Sequence, residues 1–196
     1  MNQIYDILAS SLEYPGEDWN ARLERCKQWL TIQEPDVAVQ LIRFRRNAKP
    51  LPIERLQELY TQTFDLNPVC TLDIGYHLFG ENYKRGELLA KLRETEAPYE
   101  LGQANQLPDH LPVLLRLLTK LDDQELRLAL IAEILIPALD KMLEALGQTD
   151  NPYRDLIEVI SNTLKDEVPE GSASGQVASS ADAPELYRIS SKATAR

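Results

Sequence analysis

Between Asp122 and Leu146 the sequence reads as one long helix on which Asp122, Glu133, Asp140 and Glu144 fall on one narrow polar stripe and the rest of the surface is mostly apolar. Such a helix is stable only when neighbours cover it on most sides, so the chain must wrap other helices around a central one. Pro137 falls inside this stretch and predicts a kink.

The rest of the sequence supplies the wrapping elements. Ile4, Ile7, Leu8 and Leu12 form one apolar stripe, ended by Pro15-Gly16. Trp19, Leu23, Cys26, Trp29 and Leu30 form a second, opened by Asp18. Glu34-Pro35 opens a third helix with Val37, Leu41 and Phe44, and Pro50 stops it. Ile53, Leu56, Leu59, Tyr60 and Phe64 mark a fourth, ended at Asn67-Pro68 because a residue before proline is pushed out of the α region. Cys70 to Phe79 reads as a short helical or irregular segment closed by Gly80 in a left-handed conformation. A helix from about Asn82 carries Leu88, Leu89 and Leu92 and ends at Pro98. Gly102 to Leu107 reads as a loop, Leu111, Leu114, Leu115 and Leu118 mark a further helix, and Asn151-Pro152 starts the last one, with Leu156, Ile157, Ile160 and Leu164 inward.

No alternating pattern is long enough for a sheet, so the fold class expected is all-α, a single-domain bundle of about seven to nine helices over residues 1–168. After Val168 the composition turns to Gly, Ser and Ala, and residues 169–196 read as a disordered low-complexity tail in which Leu186-Tyr187-Arg188-Ile189 is the one cluster able to dock. The formal net charge is −10, which disfavours nucleic acid and favours a basic peptide, although acidity also serves solubility. No apolar run reaches the roughly 18 residues of a membrane span, and the first residues lack a basic n-region. Cys26 and Cys70 form no Cys-x-x-Cys and are expected to be reduced thiols of a cytoplasmic protein.

Catalytic signatures are missing: the sequence has no phosphate-cradling Gly-rich loop, no Gly-x-Ser-x-Gly and no His-Glu-x-x-His, and only two histidines, His77 and His110. No metal or cofactor of its own is expected. Candidate binding residues lie instead at helix ends, where unsatisfied backbone groups and side chains can be aimed at a ligand. In Leu107-Pro-Asp-His-Leu-Pro112, Asp109 reads either as the N-cap of the following helix or as a binding carboxylate, and His110 as a surface or pH-responsive imidazole. Tyr76 and Phe79 read as apolar anchors or as core. Glu81 and Arg85 read as an i, i+4 surface pair or as groove lining, and Gly86 allows close backbone approach. The readings left open are a peptide-binding chaperone, a small helical enzyme using Asp109-His110, and a structural helical subunit.

Four motifs in series, Tyr60-Thr-Gln-Thr-Phe-Asp-Leu66, Tyr76-His-Leu-Phe-Gly-Glu81, Arg85-Gly86 and Leu107-Pro-Asp-His-Leu-Pro112, resemble the NarJ family, the molybdenum-cofactor assembly chaperones of respiratory nitrate reductase. More distantly they resemble the TorD/DmsD chaperones of other molybdoenzymes. The resemblance implies a cytoplasmic, non-catalytic chaperone. It would bind the N-terminal segment of the catalytic subunit, a twin-arginine leader or its remnant, and hold the apo-protein until the molybdenum cofactor is inserted. It also implies a peptide site drawn from Tyr76, His77, Phe79, Glu81, Arg85, Asp109 and His110. In the TorD/DmsD branch a Pro-x-Asp-His loop lies at that site; here Pro108 directly precedes Asp109, one residue short of that spacing.

Overall fold

The structure is a computed structural model that describes residues 3–33, 35–66, 70–99, 101, 105–147 and 150–169. The expected tail from residue 170 onward lies outside the described residues, as do Asn67-Pro68 and Gly102. The helices are α1 (Gln3–Ser11), α2 (Trp19–Gln33), α3 (Pro35–Ala48), α4 (Ile53–Phe64), α5 (Ile74–Phe79), α6 (Tyr83–Glu96), α7 (Leu111–Leu118), α8 (Gln124–Ala129), α9 (Ile136–Leu146) and α10 (Pro152–Lys165). A π-helical stretch, Leu130–Leu135, joins α8 to α9 without a break, so the described residues make nine rods and no strand.

The rods stack in a continuous order. α6 packs on α5, α5 on α9, α9 on α10, α10 on α3 and α3 on α2, while α1 bridges α2 and α7. The rod from Gln124 to Leu146 packs between α5 and α10 and buries most of its apolar side chains. It begins two residues later than the sequence suggests, because Asp123 caps it by accepting the Leu126 N–H at 3.0 Å, which leaves Asp122 outside. The strain that a mid-helix proline imposes is met by the π-helical stretch. A proline at 137 removes a donor and presses on the carbonyl of Glu133, and the ladder widens just before it, with the Ile136 N–H bonded five residues back to the Ile131 carbonyl.

The core is completed by an aromatic cluster at the junction of α4, α3 and α10. Tyr60 and Phe64 stand 5.0 Å apart, and each meets Tyr153 edge-on, at 5.7 and 5.1 Å; Phe44 and then Trp19 extend the chain of rings. Asn151 fixes the start of α10, accepting the Tyr153 N–H and donating to Thr63 Oγ1 at 2.8 Å. At the far end Glu167 accepts from Arg127 at 2.7 and 2.9 Å and from the Tyr5 hydroxyl at 2.6 Å, tying α1, α8 and the end of α10 together. Cys26 and Cys70 are buried, free thiols in separate places, and burial pushes both up, Cys70 to about 12.

The Tyr153 hydroxyl has no hydrogen-bond partner among the described residues although its ring is fully buried. Tyr153→Phe therefore removes an unpaired polar group and should leave the melting temperature unchanged or raised. Tyr153→Ala, which empties the centre of the ring cluster, should cost about 3–5 kcal/mol in a urea titration.

Candidate functional site

The segments entering α5 and α7 are paired by a single antiparallel β-bridge between Asp73 and His110. Ile74 N–H donates to the Asp109 carbonyl at 3.0 Å and Leu111 N–H to the Leu72 carbonyl at 2.9 Å. The bridge turns the Asp109 side chain inward, where it is fully buried. A buried carboxylate must be paired, and Arg85 from the first turn of α6 supplies the partner. Its Nε donates to Asp109 Oδ2 at 2.9 Å, and its Nη2 reaches Asp109 Oδ1 at 3.4 Å and Asp73 Oδ2 at 3.2 Å. On the other side of Asp73, Oδ1 lies 3.3 Å from His110 Nδ1. Tyr76 lies against the Arg85 guanidinium, 5.9 Å from ring centre to Cζ.

This arrangement decides two readings that the sequence left open. Asp109 is not the N-cap of α7; His110 holds that position, and the Asp109 carboxylate turns to Arg85. The reason is the bridge, which commits the backbone on both sides of Asp109 before the helix starts. Asp109 and His110 likewise do not face each other as a dyad, because the imidazole meets Asp73. Asp73 is the residue that sequence reasoning missed. It sits at the N-cap position of α5 with no side-chain capping bond, since its carboxylate is drawn to Arg85 and His110. An aspartate just before a short helix was the available signal, but it reads as an ordinary cap.

Electrostatics follow the same geometry. The His110 hydrogen bond, with further help from Arg85, outweighs burial and holds the Asp73 carboxyl below its ordinary value. Burial pushes the Asp109 carboxyl up, against the hydrogen bond and charge of Arg85 that pull it down. Asp65, at the end of α4, is pushed up by burial and feels the charges of His110 and Asp73, which places it beside the same cluster.

The remaining sequence candidates divide between surface and packing. Tyr76 is 46% exposed, whereas the Phe79 ring packs partly against the core. His77 Nε2 lies 2.8 Å from the Thr71 carbonyl, and burial lowers its imidazole; its own carbonyl accepts from Lys141 Nζ at 2.9 Å. Glu81 is exposed, and Arg85 turns away from it toward the two aspartates. In the first motif Tyr60 and Phe64 belong to the core, while Asp65 and Leu66 reach the surface. Gly80 takes the positive φ its position demands, 59°. Of the eight large apolar side chains exposed among the described residues, four (Leu66, Tyr76, Tyr83 and Leu107) stand on the segments that form this corner. The corner thus offers carboxylates, an imidazole and an apolar rim together. Among the described residues no group of three or more His, Cys, Asp or Glu is placed to hold a metal ion, and no helix is long and apolar enough to cross a membrane.

A family model described as nitrate reductase delta subunit matches residues 31–157, which takes in every element that builds the corner. The chain belongs to the nitrate reductase delta subunit family. A relative from Bacillus subtilis (strain 168), named as a nitrate reductase molybdenum cofactor assembly chaperone, NarJ, is 26% identical over 163 residues, covering 82% of this chain and 88% of the relative. Among solved structures, one described as a redox enzyme maturation protein from Archaeoglobus fulgidus is 19% identical. It aligns over 84% of this chain and 94% of its own, with a TM-score of 0.56, which establishes a shared fold.

Two glycines of this family member test the packing. A Cβ on Gly75 would stand 2.6 Å from Asp109 Oδ2 and 3.4 Å from Arg85 Cγ, so Gly75→Ala should destabilise the protein and separate the ion pair. Among the described residues nothing comes within 4 Å of a Cβ at Gly86, so Gly86→Ala should stabilise by up to about 1 kcal/mol. Thermal melts of the two variants should move in opposite directions. Asp73 gives a pH test. Its folded carboxyl releases its proton at lower pH than the unfolded one, so its contribution is complete above the ordinary value of 3.8 and is lost as the pH falls through the lower folded value. The stability deficit of Asp73→Asn should therefore be largest at neutral pH and should shrink in acid titrations below 3.8.

Proposed function

We propose that the protein is a cytoplasmic, non-catalytic assembly chaperone that binds the N-terminal segment of a molybdoenzyme catalytic subunit. The client favoured is the nitrate reductase alpha subunit, held in its apo form until the molybdenum cofactor is inserted. Family membership and the name of the Bacillus subtilis relative support the assembly role. The observation that carries the binding site is the corner itself: the segments that meet at Asp73 and His110 bear four exposed apolar side chains, Leu66, Tyr76, Tyr83 and Leu107, and the exposed carboxylates of Asp65 and Glu81. An amphipathic peptide with basic residues fits such a surface, its apolar side chains covering the rim and its cations meeting the carboxylates.

Within this reading the roles separate by burial. Tyr76 is the contact anchor. Asp73, Glu81 and His110 face the peptide, and Arg85 and Asp109 hold Asp73 and the bridge in register. His77 and Phe79 support α5 from behind. Domain organisation follows suit, with residues 1–168 forming the binding body and residues 169–196 a separate tail. The enzyme alternative loses its support, because the dyad it needs is not formed.

Isothermal titration with a synthetic peptide of the nitrate reductase alpha subunit N-terminus tests the reading. Binding tighter than millimolar is expected for the wild type. Tyr76→Ala and His110→Ala should each weaken it about tenfold, about 1.4 kcal/mol; Tyr76→Ala should leave the melting temperature nearly unchanged, while His110→Ala should also lower it because it removes the hydrogen bond to Asp73. Absence of binding across nitrate reductase and related molybdoenzyme leaders would overturn it.

A further inference from the structure

The same corner has a candidate occupant within the chain. Residues 186–196, Leu-Tyr-Arg-Ile-Ser-Ser-Lys-Ala-Thr-Ala-Arg, contain three basic residues and no acidic one. The total of −10 therefore divides into +3 on this segment and −13 on residues 1–185. Leu186, Tyr187 and Ile189 give its first four residues an apolar character, so the segment combines the two properties that the corner suits.

The geometry brings it within reach. α10 runs antiparallel to α3, with Asp155 meeting Asn47 at 3.0 Å and Arg43 at 2.7 Å, and it delivers the described chain to Pro169 at its C-terminal end. There Lys165 Nζ meets Asp140 Oδ1 of α9 at 2.7 Å, and the next residue of α9, Lys141, bonds the His77 carbonyl of α5 at 2.9 Å. Glu167, two residues before Pro169, meets Arg127 near the start of the same Gln124–Leu146 rod at 2.7 Å, fourteen residues before Lys141, an offset of about 21 Å at about 1.5 Å per residue. With about 8–10 Å for each helix crossed, the path from Pro169 to the corner is about 25–30 Å. The intervening residues 170–185 number 16, ten of them Gly, Ser or Ala. A chain of that length and composition has a root-mean-square reach of about 20–24 Å, close to the span, and an extended length of about 50 Å that covers it.

We propose that residues 186–196 act as an internal pseudo-ligand, seating Leu186, Tyr187 and Ile189 on the Leu66–Tyr76–Tyr83–Leu107 rim and their basic residues beside Asp65, Asp73 and Glu81. This rests on the peptide-binding reading of the corner and adds its regulation: a client segment must displace the tail. A tether of this length gives an effective concentration of about 1 mM, so a segment with an intrinsic affinity of about 0.1 mM weakens competing peptides by about tenfold. The corner is thereby kept covered until a tighter-binding client arrives.

The test uses the full chain and the charge-reversed full chain carrying Arg188→Glu, Lys192→Glu and Arg196→Glu, with two probes in titration: the synthetic peptide of residues 186–196 and the nitrate reductase alpha subunit N-terminal peptide. Both probes should bind the charge-reversed chain about tenfold more tightly than the wild type, and adding Tyr76→Ala should abolish the gain. If the alpha subunit peptide binds both chains equally, or the 186–196 peptide binds neither, the pseudo-ligand is overturned while the chaperone reading stands. If neither probe binds either chain, both fall together.

Discussion

The buried Asp109 carboxylate is the constraint on which the corner is built. A side chain with no exposure cannot remain charged without a partner, and Arg85, in the first turn of α6, supplies it at the entrance to α5. That requirement fixes Arg85 in place, excludes a side chain at residue 75, and orients Asp73 between a guanidinium and an imidazole. The β-bridge between Asp73 and His110 then locks the starts of α5 and α7 to each other, although the two lie almost forty residues apart.

The rest of the fold gives this corner a stiff base. The rod from Gln124 to Leu146 packs against α5 on one side and α10 on the other, and its π-helical stretch absorbs Pro137 without a break. The aromatic cluster of Tyr60, Phe64, Phe44 and Tyr153 anchors the end of α4 just before Asp65 and Leu66 emerge at the surface. The candidate site thus lies at the ends of helices whose bodies are committed to packing. A rigid body presenting a few polar groups and an exposed apolar rim suits transient recognition of an extended segment better than catalysis, which needs reacting groups aimed at each other.

Much of this was legible in the sequence. Helical periodicity is local, so the stripes, the proline stops, the Gly80 turn and the helix starts at Asn82 and Asn151 follow from nearest neighbours along the chain. The four motifs located the corner because they gather polar and aromatic residues at helix ends. The resemblance to the NarJ family that they carry agrees with the family the chain belongs to.

Tertiary structure alone decided which of those residues work together. Asp109 beside His110 invites a cap or a dyad, but a β-bridge between distant segments turns the two side chains apart, and no local pattern encodes that pairing. Glu81 at i, i+4 from Arg85 invites a surface ion pair, but a fully buried carboxylate competes more strongly for the guanidinium than an exposed one in water. Asp73 reads as a plain cap until its two partners, contributed by α6 and by the start of α7, are in place. Sequence determines the helices because their hydrogen bonds close within a few residues; the site is made of long-range pairings, and those exist only once the helices have packed.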